Sequence, residues 1–563
     1  MSDPLAGYGI RRALAPRALR AAAPLAAVLA VWLGGWAALP QFGPGWDEAL
    51  GDLFFGERYF SFFTTLDPVD LDFERDPYPP GRLPDLSGSP FRTRPWEHFP
   101  VGATLAAASS ELLSRRLGWL DPFAGFHAVN LFLATLLVLV FHRFLDARWG
   151  GLAAATAVGL LFTSPRVVYD LLVNVKDFPS MVLFTLAALA ALRALESGSA
   201  RGVLGAGALG GLALGARANA LFLPLLPLGT VLLAGVPERW RGRRFRLAAS
   251  SLFAAALALA VLVAVWPYLW ADPLGRSEQA LRFLAGRRAT VSAASLAPAL
   301  AAVLLTTPPV FLALAGVGLV EALRRARRRE LLAAFFLVWI AVVLGRYALP
   351  WAVNYDGVRH LLELFPALAA VAGLGVATVA RLAARWIRAL GHPYAKAALG
   401  ALLVAPSAWA VVASHPFPSA YWNAFAGGSR GAYESGLPQF GDYWGTSYRL
   451  GLRWLDEHAP PGALLAVPVV EHAVRLAAPT ELRSDITLLP LTSPLSPQIP
   501  PDRLARMREA ARTRPLYVMF VERRDWMNEL MLDCLRRLEP EVVWSLDGAP
   551  ILRIYRWTPP PGG

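Results

Sequence analysis

The chain has 563 residues, 55% hydrophobic and only 17% charged, with a formal net charge of +13 and one cysteine, Cys534. Soluble enzymes carry about 25% charged residues, so this composition excludes a soluble globular class, and a single cysteine excludes an intramolecular disulfide. The basic balance does not point to nucleic acid, because the arginines stand beside apolar runs, where membrane orientation and anionic lipid account for them.

A membrane crossing needs about 20 apolar residues. The first run, 21–39, is long and lacks a small-residue cleavage site, so it reads as an uncleaved signal anchor. Further crossings are expected at 123–145, 150–164, 178–195, 202–216, 219–235, 246–268, 297–320, 331–349, 361–380 and 396–414. The run 102–117 contains Ser109, Ser110 and Glu111 and follows His98-Phe99-Pro100. Counting it as a crossing would place later arginine clusters outside. Lys and Arg near span ends favour the cytoplasm. With 102–117 lying in the interface, Arg11, Arg12, Arg17 and Arg20, and the clusters 239–246, 324–329 and 381–388, all fall inside. The expectation is eleven crossings plus one interfacial helix, in the inner membrane of a bacterium. The outer face then carries the long loop 40–101, the turn 164–178, Arg217-Ala218-Asn219, and the segments 266–296 and 349–361.

From about Tyr421 the composition changes. Tyr448–His458 is an amphipathic helical stretch, 464–470 and 516–521 read as strands, and 542–545 with 551–555 reads as a hairpin around Asp547-Gly548. The division is therefore a cytoplasmic amino terminus at 1–20, a membrane domain at 21–418, and a small extracytoplasmic α/β domain at 419–563.

Asp47 and Glu48 follow the first crossing at the outer membrane mouth. An inverting sugar transfer needs a base for the acceptor hydroxyl, and partial desolvation there would raise a carboxylate's pKa toward a useful range. The structural alternative is an acidic cap opening an interfacial helix at 49–53. Asn174-Val175-Lys176-Asp177-Phe178-Pro179 offers a lysine for a phosphate and an aspartate to orient it; it is also a good helix start. Arg217-Ala218-Asn219 is a polar break between apolar runs, either a phosphate site or a capped hairpin. Tyr355-Asp356-Gly357-Val358-Arg359-His360 places a guanidinium suited to phosphate at the start of a span, where a structural anchor would also stand. His98 lies among aromatics, where packing is a sufficient role. Arg276, Arg282, Arg287 and Arg288 offer charge to an anionic lipid. No Walker A loop, His-Glu-x-x-His or paired Cys-x-x-Cys site is present, so neither cytosolic ATP nor a structural metal is expected.

In order along the chain, Asp47-Glu48, His98-Phe99-Pro100-Val101-Gly102, Lys176-Asp177-Phe178-Pro179, Gly215-Ala216-Arg217-Ala218-Asn219-Ala220, Arg359-His360, Tyr421-Trp422-Asn423 and the stretch Asp442-Tyr443-Trp444-Gly445-Thr446-Ser447-Tyr448 form a set. The set resembles the bacterial branch of glycosyltransferase family 39, which is related to protein O-mannosyltransferases and to the transferase that puts aminoarabinose on lipid A. Phe99 stands where the family's His-Pro-Pro-Leu-Gly stretch has a proline. The resemblance implies the GT-C fold and a polyprenyl-phosphate-linked hexose or pentose as donor; it carries over no metal requirement, and no cofactor, metal or nucleic acid is expected. It implies Asp47 as the base with Glu48 supporting it, and substrate binding by His98, Lys176, Asp177, Arg217, Asn219, Arg359 and His360, with Lys176, Arg217 and Arg359 on the lipid phosphate. The acceptor hydroxyl is on lipid, protein or glycan. A flippase for a lipid-linked glycan and an en bloc oligosaccharide ligase remain alternatives.

Overall fold

The computed structural model describes residues 17–73, 94–286, 296–349, 356–437, 439–493 and 496–560. Its larger part is a bundle of apolar helices. Among the described residues seven helices are long and apolar enough to cross a membrane, or up to nine if each of two bent pairs is one span. The protein is thus an integral, multi-pass membrane protein. Of the eleven expected crossings, 202–216 and 219–235 are the shorter apolar helices Ala200–Ala216 and Ala218–Ala234.

Two expected crossings are not straight. The stretch 297–320 is two helices, Leu296–Thr306 and Pro309–Arg327, meeting at 118°. The tandem Pro308-Pro309 explains the break, since Pro309 cannot supply an N–H to the preceding turn and Pro308 drives its predecessor out of helical geometry. Likewise Gly151–Phe162 turns by 66° into Pro165–Val173 at Ser164-Pro165. The run 102–117 is the helix Pro100–Ser110, which widens into a π-type turn at Glu111–Arg116, where Arg115 and Arg116 pair with Glu111.

Helix ends follow local chemistry. Asp121 Oδ1 accepts the N–H groups of Phe123 and Ala124 at 3.1 Å, with Pro122 at the first helical position. Asn174 Oδ1 accepts from the backbone of Lys176 and Asp177 at 3.1 and 2.8 Å and opens the helix Asp177–Ser197. Helix faces are held close by glycine. A side chain on Gly318 would run into the Val371 carbonyl, and one on Gly375 into the Leu314 carbonyl, so the helices Pro309–Arg327 and Leu364–Ala383 meet backbone to backbone.

The carboxyl-terminal residues build a five-stranded mixed sheet from β1 (Leu464–Ala466), β2 (Thr487–Leu489), β3 (Leu516–Val521), β4 (Val542–Leu546) and β5 (Ala549–Trp557), in the order β2-β1-β3-β5-β4. The helix Tyr448–His458 has the expected bounds. The β4–β5 hairpin turns on Asp547 and Gly548, both at positive φ (51° and 76°), the backbone such a two-residue turn requires. β1 is shorter than the expected 464–470, because the chain leaves the sheet after Ala466 and reaches a left-handed Val470 before the helix Glu471–Glu481. β2 was not foreseen; it is three residues long and flanks β1 in parallel.

We expect Gly318→Leu to lower the thermal midpoint in detergent, with an overpacking cost of about 1–3 kcal/mol or more. Gly316→Leu, two residues away on the same helix and facing open space, should leave it unchanged.

Candidate active site

Elements far apart in sequence meet at one end of the bundle. Helix Arg17–Ala38 delivers Asp47 there, the helix Asp177–Ser197 starts there, Arg217 ends the helix Ala200–Ala216, and Arg359 precedes the helix Leu364–Ala383. Their side chains form one charge network. Arg359 Nη1 donates to Asp47 Oδ2 at 3.0 Å and lies 3.5 Å from Asp177 Oδ2, while its Nη2 meets Asp356 Oδ2 at 2.9 Å. Lys176 Nζ sits 3.7 Å from Asp47 and 3.6 Å from Asp52. Arg217 pairs with Asp177, and Asn174 Nδ2 donates to Asp177 at 3.0 Å.

Exposure within the network is uneven. The side chains of Arg359 and Asp177 are 2% and 1% exposed, whereas Asp47 and Lys176 keep 18% and 15%. The buried pair is a foundation, and the Asp47–Lys176 edge is the more exposed side of the network. Asp47 makes no side-chain cap to the turn that follows it, so the helix-cap alternative does not describe its contacts. Its desolvation is opposed by two neighbouring cations.

Glu48 points elsewhere. Its carboxylate accepts the Gly45 N–H at 2.8 Å and the His127 imidazole at 2.8 Å, all buried, and so braces the loop that carries Asp47. His98 Nδ1 donates to Asp52 at 2.5 Å with its ring stacked on Phe55, which joins it to the network through Asp52. Asn219 is not in the network; its amide donates to Glu363 at 2.7 Å. Glu363 also takes Arg346, and the His360 carbonyl accepts Arg346 and, at 3.0 Å, Tyr347. These five form a second polar cluster beside the first. Arg276 lies over the Tyr268 ring at 4.7 Å, and Arg282 pairs with Glu278. Tyr355, Arg287 and Arg288 lie outside the described residues.

Sequence reasoning missed several partners. Asp52 was read only as part of a helix start. Arg166, fully buried over the Trp422 and Tyr443 rings, lies in the turn 164–178 and was not singled out from the sequence. Arg523 comes from the end of β3: its Nη2 meets Asp356 at 3.1 Å, and it covers the Trp46 ring at 4.6 Å. His472 Nε2 donates to the Trp46 carbonyl at 3.3 Å, and Trp526 packs edge-on against Trp46 at 4.8 Å. Asp442 collects the N–H groups of Trp444, Gly445 and Ser447 together with the Tyr169 hydroxyl, and this holds Trp444 under Arg359, 5.0 Å from ring centre to guanidinium. The carboxyl-terminal unit therefore grips the residue immediately before Asp47. Among the described residues no group of three or more His, Cys, Asp and Glu side chains is arranged to hold a metal ion.

No protein-family model matches the chain, and no curated protein matches it. Among solved structures it is similar to ArnT from Cupriavidus metallidurans bound to undecaprenyl phosphate, at 13% identity and a TM-score of 0.55, over 95% of this chain and 97% of that one. The apo state of the same protein matches at 13% identity and a TM-score of 0.51, over 95% and 98%. These likenesses show the fold. It is the GT-C fold expected from the sequence, with a small sheet appended.

Burial pushes the His472 imidazole down to about 3, against its contact with Trp46 and the nearby Asp47; Arg523 and Arg475 add to the depression. The folded protein thus holds His472 neutral, while the unfolded chain protonates it below about 6.5. This contribution to stability is complete above that pH and is lost as pH falls toward 3. The loss reaches about 2 kcal/mol at pH 5, at ~1.4 kcal/mol per unit. The thermal midpoint in detergent should fall between pH 7 and pH 5, and His472→Gln should flatten that slope; equal slopes would contradict the assignment.

Proposed function

We propose that the protein is a membrane glycosyltransferase that moves a sugar from a polyprenyl-phosphate donor to an acceptor hydroxyl, with inversion, on the extracytoplasmic face. The observation that carries this reading is the network of Asp47 with Lys176, Arg359, Asp177 and Arg217 at one end of a GT-C bundle. Arginine side chains crowd the opposite end, as cytoplasmic ends do, and the carboxyl-terminal unit lies at the end with Asp47.

At rest the network is self-neutralised. Asp47, Asp52, Asp177 and Asp356 face Lys176, Arg217, Arg359 and Arg523. A carboxylate oxygen engaged by two cations is occupied, which suits a resting site but not a base. A donor phosphate offers those cations a competing anion. As Lys176 turns toward the phosphate, Asp47 loses the more exposed of its two cations and becomes available to the acceptor. The acceptor oxygen, losing its proton to Asp47, attacks the anomeric carbon from the face opposite the phosphate. The carbon–oxygen bond to the phosphate breaks, and the polyprenyl phosphate leaves with its new charge matched by Lys176, with Arg217 and Arg359 behind it. Preorganised donors in a partly dry site stabilise such a leaving group without reorganisation. Glu48 and His98 act through others, by fixing the Asp47 loop and Asp52.

Membrane vesicles carrying the full chain, given a labelled polyprenyl-phosphate sugar, should transfer label to an envelope acceptor. Asp47→Asn should lower the rate about 10²–10⁴-fold, the usual contribution of a general base, with expression unchanged. Lys176→Ala should lower it about 10²–10³-fold. Full transfer by Asp47→Asn would remove Asp47 from the mechanism. Label that crosses the bilayer without forming a glycosidic bond would favour the flippase alternative.

A further inference from the structure

At the end of the bundle away from Asp47, a cleft of about 980 Å³ opens between helices. Its walls are small residues, among them Ala26, Ala155, Gly159, Ala377, Gly400 and Ala401, contributed by the helices Arg17–Ala38, Gly151–Phe162, Leu364–Ala383 and Pro393–Ser414. From Gly151 to Gly159 the trough runs about 12 Å along the helix axis, a depth that suits hydrocarbon. Its mouth holds Arg148, Arg325, Arg381 and Lys396, with Asp146 alongside. Arg148 pairs with Glu196, Arg325 with Glu321 and Glu330, and Arg381 with Glu321. Lys396 makes no ion pair with any described residue. The exposed Arg324, Arg327, Arg328, Arg385 and Arg388 crowd the same end. Trp386 is 89% exposed there, as an aromatic at head-group level would be.

One buried group is unexplained. His142 lines the cleft and is 5% exposed, and its Nε2 has no hydrogen-bond partner. It precedes Arg148 by six residues on the helix Val129–Trp149 and so lies about 9 Å deeper than the cationic mouth. A buried ring nitrogen without a partner is costly. A ligand with an anionic head, an ester oxygen below it and a hydrocarbon chain below that would satisfy the mouth, His142 and the small-residue trough in turn.

We propose that this cleft is a binding site for an anionic glycerophospholipid of the cytoplasmic leaflet. The phosphate meets Lys396 and the neighbouring arginines, a glycerol ester carbonyl accepts from His142 Nε2–H, and one acyl chain lies along the alanine and glycine wall. A polyprenyl phosphate fits the mouth but has no acyl-ester carbonyl below its head group to offer His142. No residue of this site belongs to the Asp47 network, so the proposal stands apart from the transferase reading.

The test is native mass spectrometry of the delipidated full-length protein with dioleoyl phosphatidylglycerol, dioleoyl phosphatidylcholine or undecaprenyl phosphate. Phosphatidylglycerol should be retained over phosphatidylcholine. Lys396→Glu should reduce its retention at least about fivefold, from ~1 kcal/mol per basic residue at such a surface, and His142→Leu should reduce it as well. Ala397 is exposed and lines the cleft, so Ala397→Trp should block the chain without disturbing the bundle; unchanged lipid-free thermal midpoints would confirm folding. Equal retention of the two phospholipids, or retention unchanged in both Lys396→Glu and His142→Leu, would overturn the site. Undecaprenyl phosphate held more tightly than phosphatidylglycerol, and released by these variants, would overturn the occupant.

Discussion

The buried guanidinium of Arg359 is the constraint on which the rest of the site depends. It is 3% exposed, and taking such a charge from water costs several kcal/mol unless carboxylates and hydrogen bonds replace the lost solvent. The chain supplies Asp47 from the first outer loop, Asp177 from a helix start, Asp356 from its own turn, and the face of Trp444 from the segment after the last apolar helix. Each partner belongs to a different element. Satisfying one side chain thereby fixes the relative positions of four segments that share no local sequence.

The same logic explains why the carboxyl-terminal unit is joined to the bundle where it is. Asp356 needs a second cation, and Arg523 provides it from the end of β3. Arg523 also lies over Trp46, and His472 and Trp526 close around that indole. Gly43 N–H donates to the Thr446 carbonyl at 2.9 Å, and Arg449 to the Phe42 carbonyl at 3.1 Å. The segment before Asp47 is held on both sides, so the carboxylate has little freedom of aim.

The two ends of the bundle solve different problems. The Asp47 end concentrates matched charges in a partly dry setting, where their fields are strong. The opposite end spreads arginines over exposed surface and leaves a small-residue trough between helices. Glycines at the helix crossings bring backbones together, as at Gly318 against Val371. Where small residues are not matched by a close neighbour, as along Ala155 and Ala401, they leave the cleft instead.

The sequence alone determined that this is a many-helix membrane protein with a small sheet behind it, because apolar runs of membrane length and a late change of composition are properties of contiguous residues. It also placed Asp47, Lys176, Asp177, Arg217 and Arg359 near span ends, since polar breaks in apolar text are visible one at a time. Local chemistry even marked the β4–β5 turn at Asp547-Gly548 and the start of the helix Tyr448–His458. Tertiary structure decided which of these residues meet. It turned Glu48 toward His127, joined Asn219 to Glu363 rather than to Asp177, and brought Asp52, Asp356 and Arg523 to the network. The site rests on ion pairs and hydrogen bonds between residues up to 312 positions apart, as between Asp47 and Arg359. No window of sequence contains both partners, so only the folded bundle could pair them.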